Sequence, residues 1–468
     1  MQDKYYSSQE FKELLHKYEA ARKQGSHIYL EPDQLTDIAE YYYEAGQQQL
    51  SLEIIRHALT VFPQATAPLI FMARHELLFR NNPTRAQYYL DKITDTTDLE
   101  YIYLKAEILL NEDKPDQAEA YLHQAYNALN DDDDIADFVL DVATIYADYD
   151  MPQRARQWLD KSNETHLADY KEIEGRIAIS QGQYQKSEDI FKQLLDEDPY
   201  STPYWNHLAT SQFQRHHIND AITSSEYSIA INPNDQEAIL NKANGLYALA
   251  NYEEALHYYE RFTQLCPHED TGYLLQAITL LNINRPEDAL DMLYKAEEEA
   301  RPNSSNLPEI YQEMAFTLSQ LQRVEQALCY LDKAEALADA DPNLILVMRG
   351  HIMLQHGNIE EANRYFQAAI KQSGNTTNIL LHVSIALYDC GYIHFARKML
   401  ETLTQDQQQH GYAYLAACHQ QLGNRKQYLQ NLKKACTVNP EEARTVFFEQ
   451  FPPELPPEEY YNYETNKP

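Results

Sequence analysis

The side chains that commonly perform catalysis or bind metals are present, but their spacing does not form a recognisable site. His216 and His217 are adjacent, and adjacent residues in a turn seldom chelate one ion well, so we interpret them as exposed polar residues. His351 and His356 are five residues apart, not the four that align two side chains on one helix face. The chain has no H-E-x-x-H sequence, no G-x-S-x-G sequence and no glycine-rich phosphate loop. The sequence therefore predicts no catalytic residue, no metal and no cofactor.

Cysteines and carboxylates add no catalytic signal. Asp and Glu total 72 residues, so a pair of carboxylates carries almost no information. The cysteines form no C-x-x-C pair and are typical of small packed residues in a reducing compartment. They are Cys266, Cys329, Cys390, Cys418 and Cys436.

A regular spacing of small residues and prolines organises the middle of the chain. Ala221 and Ala255 are 34 residues apart, and Pro233 and Pro267 have the same spacing. Small residues let two antiparallel helices approach closely, whereas proline cannot continue a helix. Because one helix pair cannot bury its apolar face alone, the pattern predicts pairs that stack on their neighbours.

The spacing extends over twelve units when Thr202 is numbered position 1 of its unit. Position 20, on which the register was chosen, is Ala or Ser in all units but the last, which has Tyr428. It falls on Ser51, Ala86, Ala118, Ala155, Ser187, Ala221, Ala255, Ala289, Ala327, Ala362, Ala396 and Tyr428. Position 8 is an independent test, and it is small in all units but the second. It falls on Ala39, Arg74, Ala106, Ala143, Gly175, Ala209, Ala243, Ala277, Ala315, Gly350, Ser384 and Ala416.

Two further details follow from this register. In the second unit Ala73 lies one residue early, which predicts one extra residue in the turn around Asn82 and Pro83. Glycine recurs at position 15, where the first helix should end in a left-handed residue. These glycines are Gly46, Gly182, Gly357, Gly391 and Gly423.

The pattern resembles the tetratricopeptide repeat. One unit matches its signature at Trp205, Leu208, Ala209, Ala221 and Pro233, and the next matches at Ala243, Tyr252, Ala255, Tyr259 and Pro267. The first of these units departs at position 24, where Ser225 replaces the usual aromatic residue. The resemblance implies an all-α fold, a right-handed α-solenoid superhelix of about twelve helix-turn-helix repeats with N- and C-terminal capping helices.

The resemblance also sets the expected domain boundaries. Residues 1–31 are expected to form an N-terminal capping helix, and residues 32–440 one continuous solenoid with a candidate bend near 297–306. Residues 441–452 are expected to form a C-terminal capping helix. An acidic tail rich in Pro and Tyr, residues 453–468, is expected to be extended or disordered.

In tetratricopeptide solenoids the first helices line an inner groove, mainly through positions 2, 5, 9 and 12. Units one to five place acids there against a single base, Arg176. The acids are Asp33, Glu40, Glu100, Glu107, Asp137, Asp169 and Glu172. Later units place amides and aromatic rings there, which can bond a peptide backbone and hold apolar side chains. The predicted peptide groove comprises Arg176, Asn206, Thr210, Phe213, Asn244, Tyr247 and Phe316.

One ligand known for the family is disfavoured. Its carboxylate clamp holds the acidic C-terminus of a heat-shock chaperone through lysines or arginines at positions 2, 5 and 6. Asn244 fits the clamp at position 9, but the bases are missing, so a free carboxylate would have no partner.

Charge and hydropathy limit the partners. A formal net charge of -34 repels phosphate backbones and anionic lipid, so neither nucleic acid nor membrane is expected. The charge favours a partner with a basic segment, although it can also serve solubility. The chain shows no secretory signal and no long apolar run, so the cytoplasm is expected; the oligomeric state stays open.

The sequence thus favours a non-enzymatic protein-interaction scaffold or adaptor that binds a peptide or partner helix in its groove. Two alternatives stay open. One is a peptide-responsive regulatory protein, although no output domain is recognisable. The other is a non-catalytic subunit of an enzyme complex.

Overall fold

The structure, a computed structural model, describes residues 6–466 except 7, 24–28, 45–46, 81, 302–303, 339, 375, 406–409, 449 and 453–454. Every secondary-structure element within these residues is helical, which confirms the all-α fold. The chain divides into two compact units, Met1–Leu194 and Leu195–Pro468.

Unit 1 contains one N-terminal helix and the first five helix pairs. Its elements are α1 (Gln9–Lys23), α2 (Pro32–Glu44), α3 (Gln48–Val61), α4 (Thr66–Arg74), a π-helical turn (His75–Phe79), α5 (Pro83–Leu90), α6 (Leu99–Asn111), α7 (Pro115–Tyr126), α8 (Asp132–Asp148), α9 (Pro152–Leu159), α10 (Ala168–Ser180) and α11 (Tyr184–Glu197). The division between the two units falls within α11.

Unit 2 contains the other seven pairs and the C-terminal helices. Its elements are α12 (Thr202–Gln214), α13 (Ile218–Ile231), α14 (Gln236–Ala248), α15 (Tyr252–Leu265), α16 (Asp270–Asn282), α17 (Pro286–Glu299), α18 (Leu307–Gln320), α19 (Val324–Glu335), α20 (Pro342–Gln355), α21 (Ile359–Gln372), α22 (Thr377–Asp389), α23 (Ile393–Gln405), α24 (Tyr412–Gln421), α25 (Arg425–Val438), α26 (Pro440–Phe447) and α27 (Tyr460–Thr465).

Small residues lie in the core of the helix pairs, as the spacing predicts. In unit 1 Ala143 and Ala155 have no exposed surface, and in unit 2 the same holds for Ala243 and Ala255. Where position 8 is glycine, an aromatic ring fills the space. A Cβ added to Gly350 would lie 2.5 Å from the ring of Phe366, so only glycine fits beside this ring.

In the ten units whose position 15 lies within the described residues, the first helix ends there in a left-handed residue. Gly182, Gly357, Gly391 and Gly423 have φ angles between 71° and 79°, which confirms the glycine prediction at these positions; Gly46 lies outside the described residues. Other units place a side chain in the same conformation at a steric cost. These residues are Asp113, Asp150, His216, Ala250, Asn284 and Gln322.

The extra residue of the second unit is accommodated in its first helix, so its predicted location in the following turn was wrong. His75–Phe79 forms a π-helical turn, and the amide of Asn82 bonds the carbonyl of Glu76 at 2.8 Å. A π turn absorbs one inserted residue without ending the helix. Position 8 of this unit is therefore Ala73, which is fully buried, and Arg74 moves to position 9 on the groove side.

The C-terminal tail is partly folded, so the expectation of an extended segment is wrong for Pro457–Thr465. A 3₁₀ turn leads into α27, and the ring of Tyr460 stacks on that of Phe451 with centroids 4.0 Å apart. Glu464 forms an ion pair with Arg425 of α25 at 3.1 Å. Three aromatic residues of this segment supply apolar surface that outweighs its acidic composition.

The longer join between α17 and α18 is fixed to α16 at the residues that the structure describes. The Nδ2 of Asn306 donates to Asp270 at 2.9 Å and to the hydroxyl of Thr271 at 2.8 Å, and Ser304 also bonds Asp270. Residues 302–303 lie outside the described part. The bend near 297–306 and the continuity of the array from 32 to 440 stay predictions.

We expect Ala250→Gly to stabilise the protein, because glycine adopts a positive φ without the clash of a Cβ atom. The gain should be about 0.5–1 kcal/mol. This is the steric penalty of alanine in the left-handed conformation minus the larger entropy that glycine loses on folding. Urea unfolding monitored by circular dichroism measures it. The matched control is Ala248→Gly, at an exposed helical residue of α14, which should lower stability instead. A loss of stability in both variants would contradict the role given to position 15.

Candidate peptide-binding groove

One aromatic residue of the predicted groove, Phe316, lines a cavity in unit 2, and a second, Tyr247, is bonded to a residue of its wall. The hydroxyl of Tyr247 accepts a hydrogen bond from Nδ2 of Asn282 at 3.0 Å. Asn282 and Phe316 line the same cavity, which has a volume of about 500 Å³ and is called here the unit 2 cavity. The ring of Phe316 also packs edge-on against His351, with centroids 5.3 Å apart. The structure thus connects Tyr247 on α14 to Phe316 on α18 through α16.

The rest of the unit 2 cavity is lined mainly by amide and hydroxyl groups. The hydroxyl of Ser319 donates to Oε1 of Gln355 at 2.9 Å and lies 3.0 Å from Nε2 of His356. Gln320 and Gln322 also line this cavity. Amide side chains offer both donors and acceptors, so this lining matches the hydrogen-bonding groups of a peptide backbone.

Burial disfavours the charged forms of side chains on the first helices near this cavity. Burial lowers the pKa of His351 to about 4, so this ring is neutral at pH 7. Burial, and then the charge of Glu309, raises the pKa of Glu313 on α18. Burial also raises the pKa of the Tyr247 hydroxyl. Since charged forms are disfavoured here, this stretch of the groove suits neutral groups better than ions.

The two predicted asparagines both have partners within unit 2. Asn206 is buried, and its amide donates to the carboxylate of Asp235, which caps α14. Oδ1 of Asn244 accepts a hydrogen bond from the hydroxyl of Tyr259 at 2.8 Å. Asn244 is half-buried. Its Nδ2 donates no hydrogen bond to another described residue. Asn206 therefore holds a helix end, whereas the amide donor of Asn244 is not used for a bond within the described residues.

Two other predicted residues, Thr210 and Phe213, are half-buried on α12. Arg176 lies on α10 in unit 1, where it forms an ion pair with Asp148 and is 19% exposed. The residues Asn206, Thr210, Phe213, Asn244, Tyr247 and Phe316 all belong to unit 2.

An acidic cavity in unit 1 has a volume of about 760 Å³ and is called here the unit 1 cavity. It lies between α2, α4 and α6. Its lining includes the predicted acids Asp33, Glu40 and Glu100, together with Asp98 and the rings of Tyr43 and Phe71. Carboxylates beside aromatic faces are suited to Lys and Arg side chains.

One base in the unit 1 cavity was missed by the sequence analysis. Arg74 lies 2.9 Å from a carboxylate oxygen of Glu100 and 3.8 Å from Glu107. Burial raises the pKa of Glu107, while the charge of Arg74 opposes this rise. Arg74 was assigned to core position 8 by counting twelve residues back from Ala86 without counting the inserted residue. The sequence signal was Ala73, which lies thirteen residues before Ala86 instead of the usual twelve. With Ala73 at position 8, Arg74 falls at position 9 on the groove side.

Asn282 and Gln355 were also missed, and both stand at position 13 of their units. The sequence analysis used positions 2, 5, 9 and 12, which face the groove along the middle of each first helix. Position 13 lies at the last turn of that helix, where a long polar side chain reaches the next unit.

Among the described residues, no cluster of three or more His, Cys, Asp or Glu side chains is arranged to hold a metal ion. No helix in this described part is long and apolar enough to cross a membrane.

Comparison with known proteins identifies the repeat. A family model described as tetratricopeptide repeat matches residues 240–305, so this segment is a tetratricopeptide repeat, which confirms the resemblance. No curated protein sequence matches the chain.

Solved structures with similar helical arrays were also found. The hetero-tetramer Cut9-Hcn1 of APC/C is 15% identical, with coverage of 96% of this chain and 94% of that chain and a TM-score of 0.38. A tetratricopeptide repeat protein from Parabacteroides merdae ATCC 43184 is 16% identical, with coverage of 55% and 98% and a TM-score of 0.41. MamA is 15% identical, with coverage of 36% and 95% and a TM-score of 0.32. At these identities and TM-scores, none of them bears on the function of this chain.

We expect acid to weaken the wild-type fold through His351. An unfolded histidine takes up a proton near pH 6.5 and the folded one only near pH 4, so the unfolded state binds more protons between these values. Stability should therefore fall as the pH drops from 7 to 4, by about 1–2 kcal/mol after allowance for partial exposure. The comparison is the difference in unfolding free energy between wild type and His351→Gln at pH 7 and pH 4.5. A pH-independent difference would show that burial does not keep this ring neutral.

Proposed function

We propose that this protein is a non-enzymatic interaction scaffold that binds an extended peptide or a partner helix in the groove of unit 2. The observation that carries the proposal is the unit 2 cavity and its connection to Tyr247 through Asn282. Tyr247 and Phe316 offer apolar faces with little side-chain entropy to lose, which is the usual character of peptide-binding anchors.

The polar groups of the groove complement a backbone. Asn244 has an amide donor that bonds no other described residue, and Gln320 and Gln355 line the unit 2 cavity beside Phe316. A bound peptide would place one apolar side chain against Phe316 and satisfy its own amides through these side chains. The neutral state of His351 lowers the cost of bringing apolar groups into the site.

The partner carries a basic segment in this proposal. Asp33, Glu40 and Asp98 line the unit 1 cavity, and only Arg74 opposes them with a full positive charge. A Lys or Arg side chain would gain charge-assisted hydrogen bonds there and cation–π contact with Tyr43 or Phe71. The net charge of -34 would speed the encounter with such a partner.

The five cysteines are free thiols, which supports a reducing compartment such as the cytoplasm.

The same groove would also serve a peptide-responsive regulator or a non-catalytic subunit of an enzyme complex. Purification of the full chain from its native cells distinguishes these roles. A stoichiometric protein partner supports the scaffold or the subunit, and a co-purifying short peptide supports the regulator.

We expect the double variant Tyr247→Ala/Phe316→Ala to lose binding at least tenfold, because both rings contact the ligand in this proposal. The ligands are peptides selected from a random library with the wild-type full chain, and fluorescence anisotropy measures their affinity. The matched control is Tyr294→Ala/Phe395→Ala, which removes one Tyr and one Phe that are 42% and 67% exposed. The control should bind like wild type.

The same peptides test the basic segment. Enrichment of Lys and Arg is expected, and Asp33→Asn/Glu40→Gln should weaken the basic peptides more than neutral ones. If the groove variant and the control bind equally well, the groove assignment is wrong. If no basic residues are enriched, the unit 1 cavity does not select the partner.

A further inference from the structure

A second pocket of unit 1 has the opposite charge to the rest of the chain. It lies between α3, α5 and the π-helical turn that leads to Arg80. Its volume is about 450 Å³. Arg56, Arg80, Arg85 and Lys92 line it, and Glu76 is its one carboxylate. This set is called here the cationic pocket. Four bases around one acid are unexpected in a chain with a net charge of -34.

The bases of the cationic pocket are largely free of acidic partners. Within the described residues, no ion pair joins Arg56, Arg80 or Lys92 to a carboxylate. Arg85 is the exception, because its Nε lies 3.3 Å from Oε1 of Glu76. Surface bases in an acidic protein normally find acids nearby, so a group of three unpaired ones leaves a concentrated positive field.

Two of the charges act on one neighbour of the pocket lining, and a third lies against a ring of the same lining. The positive charges of Arg80 and Arg56 contribute, after burial, to a lowered pKa of His75. Lys92 lies 4.1 Å from the centroid of the Tyr88 ring, and its hydrogen bond and charge lower the pKa of Tyr88. The pocket therefore holds its positive charge in one place.

Glu76 lies beneath the pocket rather than in its mouth. Its side chain is 3% exposed, and its contact with Arg85 holds one guanidinium at the rim. The π-helical turn begins at the preceding residue and leads to Arg80. One inserted residue thus has two effects, since it moves Arg74 to the groove side and presents Arg80 to the pocket. Single π turns are frequent at functional sites.

We propose that the cationic pocket binds a phosphate monoester. Three guanidinium groups match the oxygens of a phosphate in paired hydrogen bonds, and four positive charges against one buried acid suit a dianion better than a carboxylate. A volume of about 450 Å³ exceeds that of a phosphate and leaves room for the group that carries it. The rings of Tyr88 and Tyr89 line the same pocket and would contact that group. The carrier is either a phosphorylated side chain of a partner protein or a small phosphorylated molecule.

Isothermal titration calorimetry of the full chain with phenyl phosphate tests the proposal, and benzoate is the matched monoanion. Phenyl phosphate should bind and benzoate should bind at least tenfold more weakly, at constant ionic strength. Arg56→Gln/Arg80→Gln should reduce the affinity for phenyl phosphate at least tenfold. Both residues are exposed, so these substitutions should leave the fold intact, which circular dichroism verifies.

The control Arg22→Gln/Lys23→Gln removes the same charge from the exposed end of α1, at residues that do not line the pocket, and should bind like wild type. A peptide with one phosphoserine between alanines is then compared with free O-phosphoserine. Tighter binding of the peptide identifies a phosphorylated protein as the source, and equal binding identifies a small molecule. If phenyl phosphate does not bind, or if both double variants lose binding equally, the pocket is not a phosphate site.

Discussion

The close contact between the two helices of each repeat is the interaction on which the rest of the structure depends. Residues such as Ala243 and Ala255 are fully buried where the helices of a pair meet, so the pair closes without side chains that would separate its axes. Each pair then presents an apolar face to the next one. The position of every first helix, and so of every groove residue, follows from this contact.

The proposed binding surfaces differ in charge. Burial disfavours charged forms on the first helices near Phe316, as the lowered pKa of His351 and the raised pKa of Glu313 show. The unit 1 cavity gathers carboxylates, and the cationic pocket gathers bases. A repeat array can support such contrasts because each surface residue is nearly independent of the core contacts that hold its helix.

The sequence predicted the helix pairs and their small contacts because a period of 34 residues repeats the same local physics in each unit. It also predicted the glycines at position 15, although not that residues such as Ala250 accept the same left-handed conformation. The π turn could not be predicted, since Ala73 showed only that a residue was inserted and not where. Counting back from Ala86 without this insertion placed Arg74 in the core, so an error in the register became an error in the site.

Prediction of the site was weaker than prediction of the fold for a physical reason. Groove positions follow from helix geometry, but hydrogen-bond partners depend on neighbouring units. Asn206 stands at a groove position and yet donates to Asp235, which caps the N-terminus of α14. Asn282 stands outside the expected positions and yet connects Tyr247 to the unit 2 cavity. The tail shows the same limit, because the stacking of Tyr460 on Phe451 outweighs an acidic composition.

Hydrogen exchange of Ala243→Leu in the full chain, read by mass spectrometry, tests the central contact most directly. A bulky side chain at this site should separate α14 from α15 at a cost of about 1–3 kcal/mol, and exchange should rise in these helices and their immediate neighbours. The matched variant Ala248→Leu, at an exposed residue of the same helix, should exchange like wild type. Unchanged exchange in α14 and α15 of Ala243→Leu would contradict the account.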